Sequence, residues 1–329
     1  MELLKRKIIL QKEMVKSKTY KMIIILIFSL FMIFYEFFDV KYTNYIHVSY
    51  SFDNNYYYIT HVSMKSVMLN QNFNTFIIFH ILVSKDIYKE QKIVIDKICQ
   101  EHKNCKIIYH IMNQEFKEFS TKGKINKTTA TFYRIILPKL IPNEKKILYF
   151  DSDTLIYRDL NEIYNYNIDD NYFVGQFEGK PIKKYGKDLR DFICGGVLLI
   201  NLDNLRKDKI FEKMIDFLTK NNRTLHFLDQ DAINVVCNKK NGFFPKHYIS
   251  SGYCDLNLFE YVIKSKKDYI KYPDNNPYII HFKALTKPWY GIPIKKNLIC
   301  FDQIGRFYEF ARKTSYYFEI LNVFKVLLK

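Results

Sequence analysis

Lys146-Ile147-Leu148-Tyr149-Phe150-Asp151-Ser152-Asp153 is the stretch on which the reading of the fold turns. The run from Lys146 to Phe150 reads as a buried strand, and two carboxylates follow it with no spacer. In an open α/β sheet ligands bind beyond the carboxyl ends of the strands, so chemistry is expected at this junction. If the strand continues, Asp151 and Asp153 point the same way and together can chelate one hard divalent ion. A D-x-D alone is weak evidence, because a solvated turn after an edge strand looks the same.

Toward the N-terminus the pattern alternates. Ile46 to Ser51 reads as a strand, Asp53-Asn54-Asn55-Tyr56 as a turn before a helix, and Ile59 to Met68 as that helix. Phe76 to Val83 is a second strand, Ile87 to Cys99 an amphipathic helix and Lys106 to Ile111 a third strand. Ala130 to Ile141 is expected to be one helix, ended by Pro142. This β-α-β-α-β start predicts an α/β domain with a mostly parallel, Rossmann-like central sheet flanked by helices.

The net charge of +17 over 329 residues fits a polyanionic partner: nucleic acid, anionic lipid or a phosphate-bearing substrate. Basic residues are scattered with acids between them, and no zinc finger, RRM signature or arginine-rich arm occurs, so no nucleic-acid partner is expected. A lipid surface and a phosphate-bearing donor fit better. The six cysteines, Cys99, Cys105, Cys194, Cys237, Cys254 and Cys300, contain no C-x-x-C pair, which argues against a structural zinc site. Cys99 and Cys105 are close enough to bridge in an oxidising compartment.

Residues 1–21 form a basic segment with Lys5, Arg6, Lys7, Lys12, Lys16, Lys18 and Lys21, and residues 22–38 are apolar apart from Ser29 and Glu36. The favoured reading is an uncleaved transmembrane anchor with a cytoplasmic N-terminus, then a short linker over 39–45, with a cleaved signal peptide, or an amphipathic or core helix beside a cytosolic catalytic domain, as the alternatives. The catalytic domain, 46–295, would face the Golgi or secretory lumen in a eukaryote, and otherwise be cytoplasmic and membrane-associated. Residues 296–329 mix aromatic, aliphatic and basic side chains. They are expected to form a helical tail, lying on an anionic membrane surface or packed on the catalytic domain.

Five motifs occur in a fixed order: Ser51-Phe52-Asp53-Asn54-Asn55-Tyr56; Phe132-Tyr133-Arg134 ahead of Ile147 to Asp153; Gly195-Gly196-Val197-Leu198-Leu199-Ile200-Asn201; Leu228-Asp229-Gln230-Asp231; and His281 followed by Lys287-Pro288-Trp289. In this order and spacing the chain resembles glycosyltransferase family 8, the retaining, GT-A-fold enzymes that include glycogenin and bacterial lipopolysaccharide galactosyltransferases. The resemblance implies a UDP-sugar donor, UDP-glucose or UDP-galactose, and a glycan, glycolipid or glycoprotein acceptor. It implies Asp151, Asp153 and His281 as ligands of manganese, with magnesium as the alternative. It also implies Asp53, Asn55, Tyr56, Arg134, Ser152, Cys194, Gly195, Gly196 and Lys287 as donor-binding residues, and Asp229 and Gln230 as the catalytic pair in the sugar pocket. Two positions depart from the pattern: Cys194, where the family usually has asparagine, and Ala284, where it usually has glycine. Two other readings stay open: a donor-binding or lectin-like scaffold that has lost catalysis, and a nucleotidyltransferase or sugar-nucleotide hydrolase with the same metal geometry.

Overall fold

The computed structural model describes residues 17–29, 42–85, 87, 89–113, 115–119, 128–178, 182–189, 192–251, 277–283, 287–290 and 300–327. The chain divides into two units, Met1–Thr43 and Asn44–Lys329.

In the first unit residues 17–29 are helical and exposed. Among the described residues no helix is long and apolar enough to cross a membrane. The expected span over 22–38 is therefore corrected, and with it the single-pass membrane placement. Hydropathy signals an apolar run but not where a helix starts and stops, and residues 30–38 of the expected span lie outside the described residues.

In the second unit the described residues form a seven-stranded sheet. Its strands are β1 (Asn44–Ser51), β2 (Thr75–Ser84), β3 (Cys105–Met112), β4 (Lys146–Phe150), β6 (Phe173–Phe177), β9 (Ile193–Asn201) and β10 (Asn241–Phe243), in the order β10-β6-β9-β4-β1-β2-β3. β4, β1, β2 and β3 are parallel, and β9 runs antiparallel to both neighbours. Side chains alternate between faces along each strand. Thus Ile46, Val48 and Tyr50 join one core cluster with Ile77, Phe79 and Ile81, while Leu82, Ile147 and Tyr149 face a second with Phe132 and Leu137. Helix α1 (Tyr57–Leu69) is buried from Ile59 to Met68, and α2 (Lys89–Glu101) is joined to β3 by a Cys99–Cys105 disulfide.

A small sheet of β5 (Thr154–Ile156), β12 (Ile279–His281) and β11 (Ile249–Ser251) stands beside the large one. A β7 (Ile182–Lys184) to β8 (Lys187–Leu189) hairpin turns at Gly186, whose φ of 70° suits glycine. The expected helix over Ala130 to Ile141 is instead a 3₁₀ segment, Thr129–Ile136, followed by a single α-turn, Leu137–Leu140. Pro138 has no N–H to give the carbonyl of Arg134, so a continuous α-helix would lose a bond there. Past β9 come α3 (Leu202–Lys207), α4 (Ile210–Asn221) and α5 (Asp229–Val236).

The C-terminal helices α6 (Cys300–Ala311) and α7 (Tyr317–Leu327) close the fold. Phe307, Phe310, Ala311 and Ile320 are buried in one cluster with Ile59, Phe282 and Trp289. Of the two expectations for the tail, the burial of these four residues is packing on the catalytic domain, while Phe318 stays exposed.

His47, His80 and His110 form a hydrogen-bonded ladder across β1, β2 and β3, with Nδ1 of His47 2.9 Å from Nε2 of His80 and Nδ1 of His80 2.9 Å from Nε2 of His110. Burial, with the neighbouring imidazoles and Lys106, pushes His80 down to about 3, and burial pushes His61 down to about 4. Both sit near 6.5 in the unfolded chain. Their contribution to stability is complete above that value and is lost as pH falls from about 6.5 toward the folded-state values, at up to ~1.4 kcal/mol per pH unit for each group. The expected result is a Tm that drops between about pH 6.5 and 4, and drops less steeply in His80→Gln. Equal slopes for both proteins in thermal unfolding would contradict it.

Candidate active site

Asp151 follows β4 directly and Asp153 precedes β5, so the intervening turn fixes their separation. The Asp151 N–H donates to the Gly196 carbonyl of β9 at 2.8 Å, and the Thr154 hydroxyl donates to the Asp151 carbonyl at 2.9 Å. Ser152 is buried, its hydroxyl 2.7 Å from that of Thr60 on α1. β12 pairs antiparallel with β5, setting His281 opposite Thr154, and the Phe282 N–H donates to the Asp153 carbonyl at 2.9 Å. Strand pairing thus delivers a histidine from far along the chain to the aspartates.

His281 Nε2 lies 3.3 Å from Asp153 Oδ1 and 3.8 Å from Asp151 Oδ2. Lys287 Nζ is 2.6 Å from the other Asp153 oxygen and packs over the rings of Tyr56 and Trp289. Trp289 is itself held against Phe307 of α6, so the tail helps to set Lys287 in place. Burial raises the Asp153 carboxyl, but Lys287 and His281 outweigh it and hold the group well below the usual carboxylate range. Burial lowers His281, yet Cys194 and Asp153 push it up to about 9.

Asp151, Asp153 and His281 each offer one ligand atom, and those atoms lie within 4.8 Å of one another. Asp153 Oδ1 is buried and, beyond His281 Nε2 at 3.3 Å, has no hydrogen-bond partner among the described residues, which leaves it open to a metal ion. Two carboxylates and an imidazole suit manganese or magnesium-like ions of hard to intermediate character. The residues present therefore fit a divalent cation. Such a cation and a proton on His281 are alternatives, since a ligating nitrogen must be neutral.

Gly196 is required by close approach. A Cβ there would sit 2.1 Å from Cε1 and 2.5 Å from Nε2 of His281. Gly196→Ala is expected to displace the imidazole and weaken Mn²⁺ binding by about tenfold or more. A calorimetric Mn²⁺ titration checks this, and unchanged affinity would remove His281 from the ligand set.

Arg134, 5% exposed, ties the metal-side carboxylate to the far wall of the site. Its Nη2 is 3.0 Å from Asp151 Oδ1 and its Nε 2.9 Å from Asp229 Oδ2, while Nη1 donates to the Gly195 carbonyl. The guanidinium lies 4.2 Å above the Tyr149 ring, and the Tyr149 hydroxyl donates to Asp151 at 3.1 Å. Burial alone would lower Arg134, but Asp151 and Asp229 keep it charged.

Asp229 and Gln230 open α5. The Thr131 hydroxyl donates to Asp229 at 2.7 Å, and Gln230 Oε1 accepts the Gly195 N–H at 3.0 Å. Leu228, just before them, has φ 57° and ψ −120°, a strained conformation for a branched side chain. The turn is held by Asp231, which is fully buried and accepts the His226 and Phe227 N–H groups and the Tyr185 hydroxyl. Asn234 then bonds both polar backbone groups of Ile193, locking α5 to β9.

One pocket is lined by Asp53, Tyr56, Arg134, Asp151, Ser152, Asp153 and Lys287, with Thr131 and Tyr149 also in its wall. Asp53 accepts the Asn55 N–H at 2.9 Å; it shapes the turn and does not cap α1, whose N-cap position is Tyr56. Asn55 is exposed and is not in the pocket wall. Cys194, Gly195 and Gly196 lie behind the wall, against His281, Gln230 and Arg134. Ala284 lies outside the described residues. The sequence reading gave no role to Tyr149 or Thr131. Tyr149 precedes Asp151 by one strand period, and Thr131 precedes Arg134 by one 3₁₀ turn, so local periodicity was the available signal.

A family model described as Glycosyl transferase family 8 matches residues 47–292. The chain belongs to glycosyl transferase family 8. A Haemophilus influenzae protein is 28% identical to this family 8 chain over 205 residues, 60% of this chain and 61% of that one. The chain spans about three fifths of the length of the first curated relatives it matches. A lipopolysaccharide 1,2-glucosyltransferase of Escherichia coli is 24% identical over 253 residues, 74% of this chain and 73% of that one. The crystal structure of the galactosyltransferase LgtC, in complex with donor and acceptor sugar analogs, aligns with a TM-score of 0.65 at 22% identity, covering 82% of this chain and 96% of that one. At that identity the likeness is one of fold, and the fold is GT-A.

Proposed function

We propose that this family 8 chain is a retaining hexosyltransferase, moving a hexose from UDP-glucose or UDP-galactose onto a glycan, glycolipid or glycoprotein acceptor. The observation that carries the proposal is the grouping of Asp151, Asp153, His281 and Lys287 at the carboxyl end of β4. In this reading Asp53 and Tyr56 hold the uracil and ribose, with Asn55 acting through the turn that its N–H closes on Asp53, and Lys287 contacts the diphosphate, its charge stabilising the leaving group as the sugar–phosphate bond breaks. Asp151, Asp153 and His281 would hold a divalent cation, manganese or magnesium, which when bound would supply further charge neutralisation to that diphosphate.

Asp229 accepts hydrogen bonds from sugar hydroxyls; Arg134 and Thr131 keep its carboxylate oriented. Gln230 sits near the anomeric carbon on the face away from the nucleotide, its carbonyl oxygen anchored by the Gly195 N–H. An amide is a poor nucleophile. Same-face attack, with the departing phosphate taking the acceptor proton, is therefore favoured over a covalent glycosyl-enzyme.

The test is incubation of the full chain with Mn²⁺ and a panel of nucleotide sugars, with products separated by chromatography. The proposal expects metal-dependent UDP release from one or two UDP-hexoses, with the α-configuration of the sugar kept in the product. Tight UDP binding without turnover on any donor–acceptor pair would favour a binding protein. A nucleotide-exchange product would mark a nucleotidyltransferase.

A further inference from the structure

Cys194 is buried, and nothing in the proposed reaction uses its thiol. Its Sγ lies 3.7 Å from Nδ1 of His281, within range of a hydrogen bond to sulfur. It therefore touches the ring on the edge opposite Nε2, the atom that faces Asp151 and Asp153. The backbone of Gly196 lies close to the same ring, nearest its Nδ1, Cε1 and Nε2 atoms. Lys283, buried and ion-paired with Glu178, also lies against Cys194.

An ammonium group can only donate, so toward Lys283 the sulfur is an acceptor. Toward His281 the direction decides the chemistry. If Nδ1 carries the proton and donates to sulfur, Nε2 presents a lone pair to the two carboxylates and can ligate a cation. If the thiol donates instead, Nε2 carries the proton and cannot. A metal-ligating histidine almost always gives its other N–H to an acceptor, which fixes both tautomer and ring angle.

We infer that Cys194 is a positioning residue for the cation site, accepting the Nδ1–H of His281 so that Nε2 is held, unprotonated, toward Asp151 and Asp153. The inference rests on the proposed role of those three residues as metal ligands. Its consequence is that affinity for the ion depends on a side chain that never touches it.

The experiment is a Mn²⁺ titration of the full chain by calorimetry, comparing wild type, Cys194→Ala, Cys194→Asn and Asp153→Ala, with thermal unfolding of each as a check on folding. Removing the acceptor in Cys194→Ala is expected to weaken Mn²⁺ binding about 10–100-fold. Cys194→Asn, whose carbonyl oxygen can accept the same N–H, is expected to stay within about threefold of wild type. A role in packing alone would not be rescued by an acceptor of different shape. Cys194→Ala binding Mn²⁺ as wild type does, while Asp153→Ala fails to bind, overturns the inference and leaves the proposed function standing. No Mn²⁺ binding by wild type overturns both.

Discussion

Asp153→Ala is expected to lower metal-dependent UDP release by on the order of 10³-fold, without abolishing the fold. Asp153 is the point at which three functions meet: its Oδ1 faces His281, its Oδ2 pairs with Lys287 at 2.6 Å, and its backbone carbonyl accepts from Phe282. The alanine variant keeps the last and loses the first two. The cation site would have two ligands left, and Lys287 would lose the carboxylate that aims its ammonium. Turnover of the variant within tenfold of wild type, measured as UDP release under saturating Mn²⁺, would show that the aspartate is not a ligand. Asp153→Asn separates charge from shape, since the amide fills the same space but cannot neutralise Lys287 and the cation together.

The second large effect falls on stability. Arg134→Ala is expected to destabilise the protein by about 3–5 kcal/mol, because it leaves two carboxylates without their shared partner. Asp229 is 3% exposed, so water cannot replace the guanidinium there. For a domain of this size such a loss corresponds to a fall in Tm of roughly 10 °C. Arg134→Lys should recover less than half of it: an ammonium is a point charge, whereas the guanidinium reaches Asp151, Asp229 and the Gly195 carbonyl together and lies flat on Tyr149. Full recovery by lysine in calorimetric unfolding would mean that charge alone, and not the planar fork, holds the two walls of the site together.

The parts of this site that were legible in the sequence are those set by local pattern. The apolar run ending at Phe150 and the two aspartates after it mark a strand end, and β4 spans Lys146–Phe150. What local pattern does not carry is pairing. β9 is buried throughout and free of polar side chains before Asn201, so nothing in its composition tells its direction, and the antiparallel reversal that brings Gly195 and Gly196 under Arg134 and His281 is a property of the assembled sheet. The Arg134–Asp229 pair joins a 3₁₀ segment to a distant helix and has no signature in either. The burial of the C-terminal aromatic residues turned on which surface was available: the same amphipathic face suits a membrane or Trp289, and here it meets Trp289. At the N-terminal end composition pointed the wrong way. An apolar stretch was read as a span, but among the described residues no helix is long and apolar enough to cross a membrane.

The central claim is that Asp151, Asp153 and His281 bind a cation that the donor needs. It is tested most directly by titrating the full chain with UDP in a calorimeter, once with Mn²⁺ present and once with EDTA. The account predicts UDP binding at least about tenfold tighter with the metal, and loss of that difference in Asp153→Ala. Equal UDP affinity in Mn²⁺ and in EDTA would contradict it.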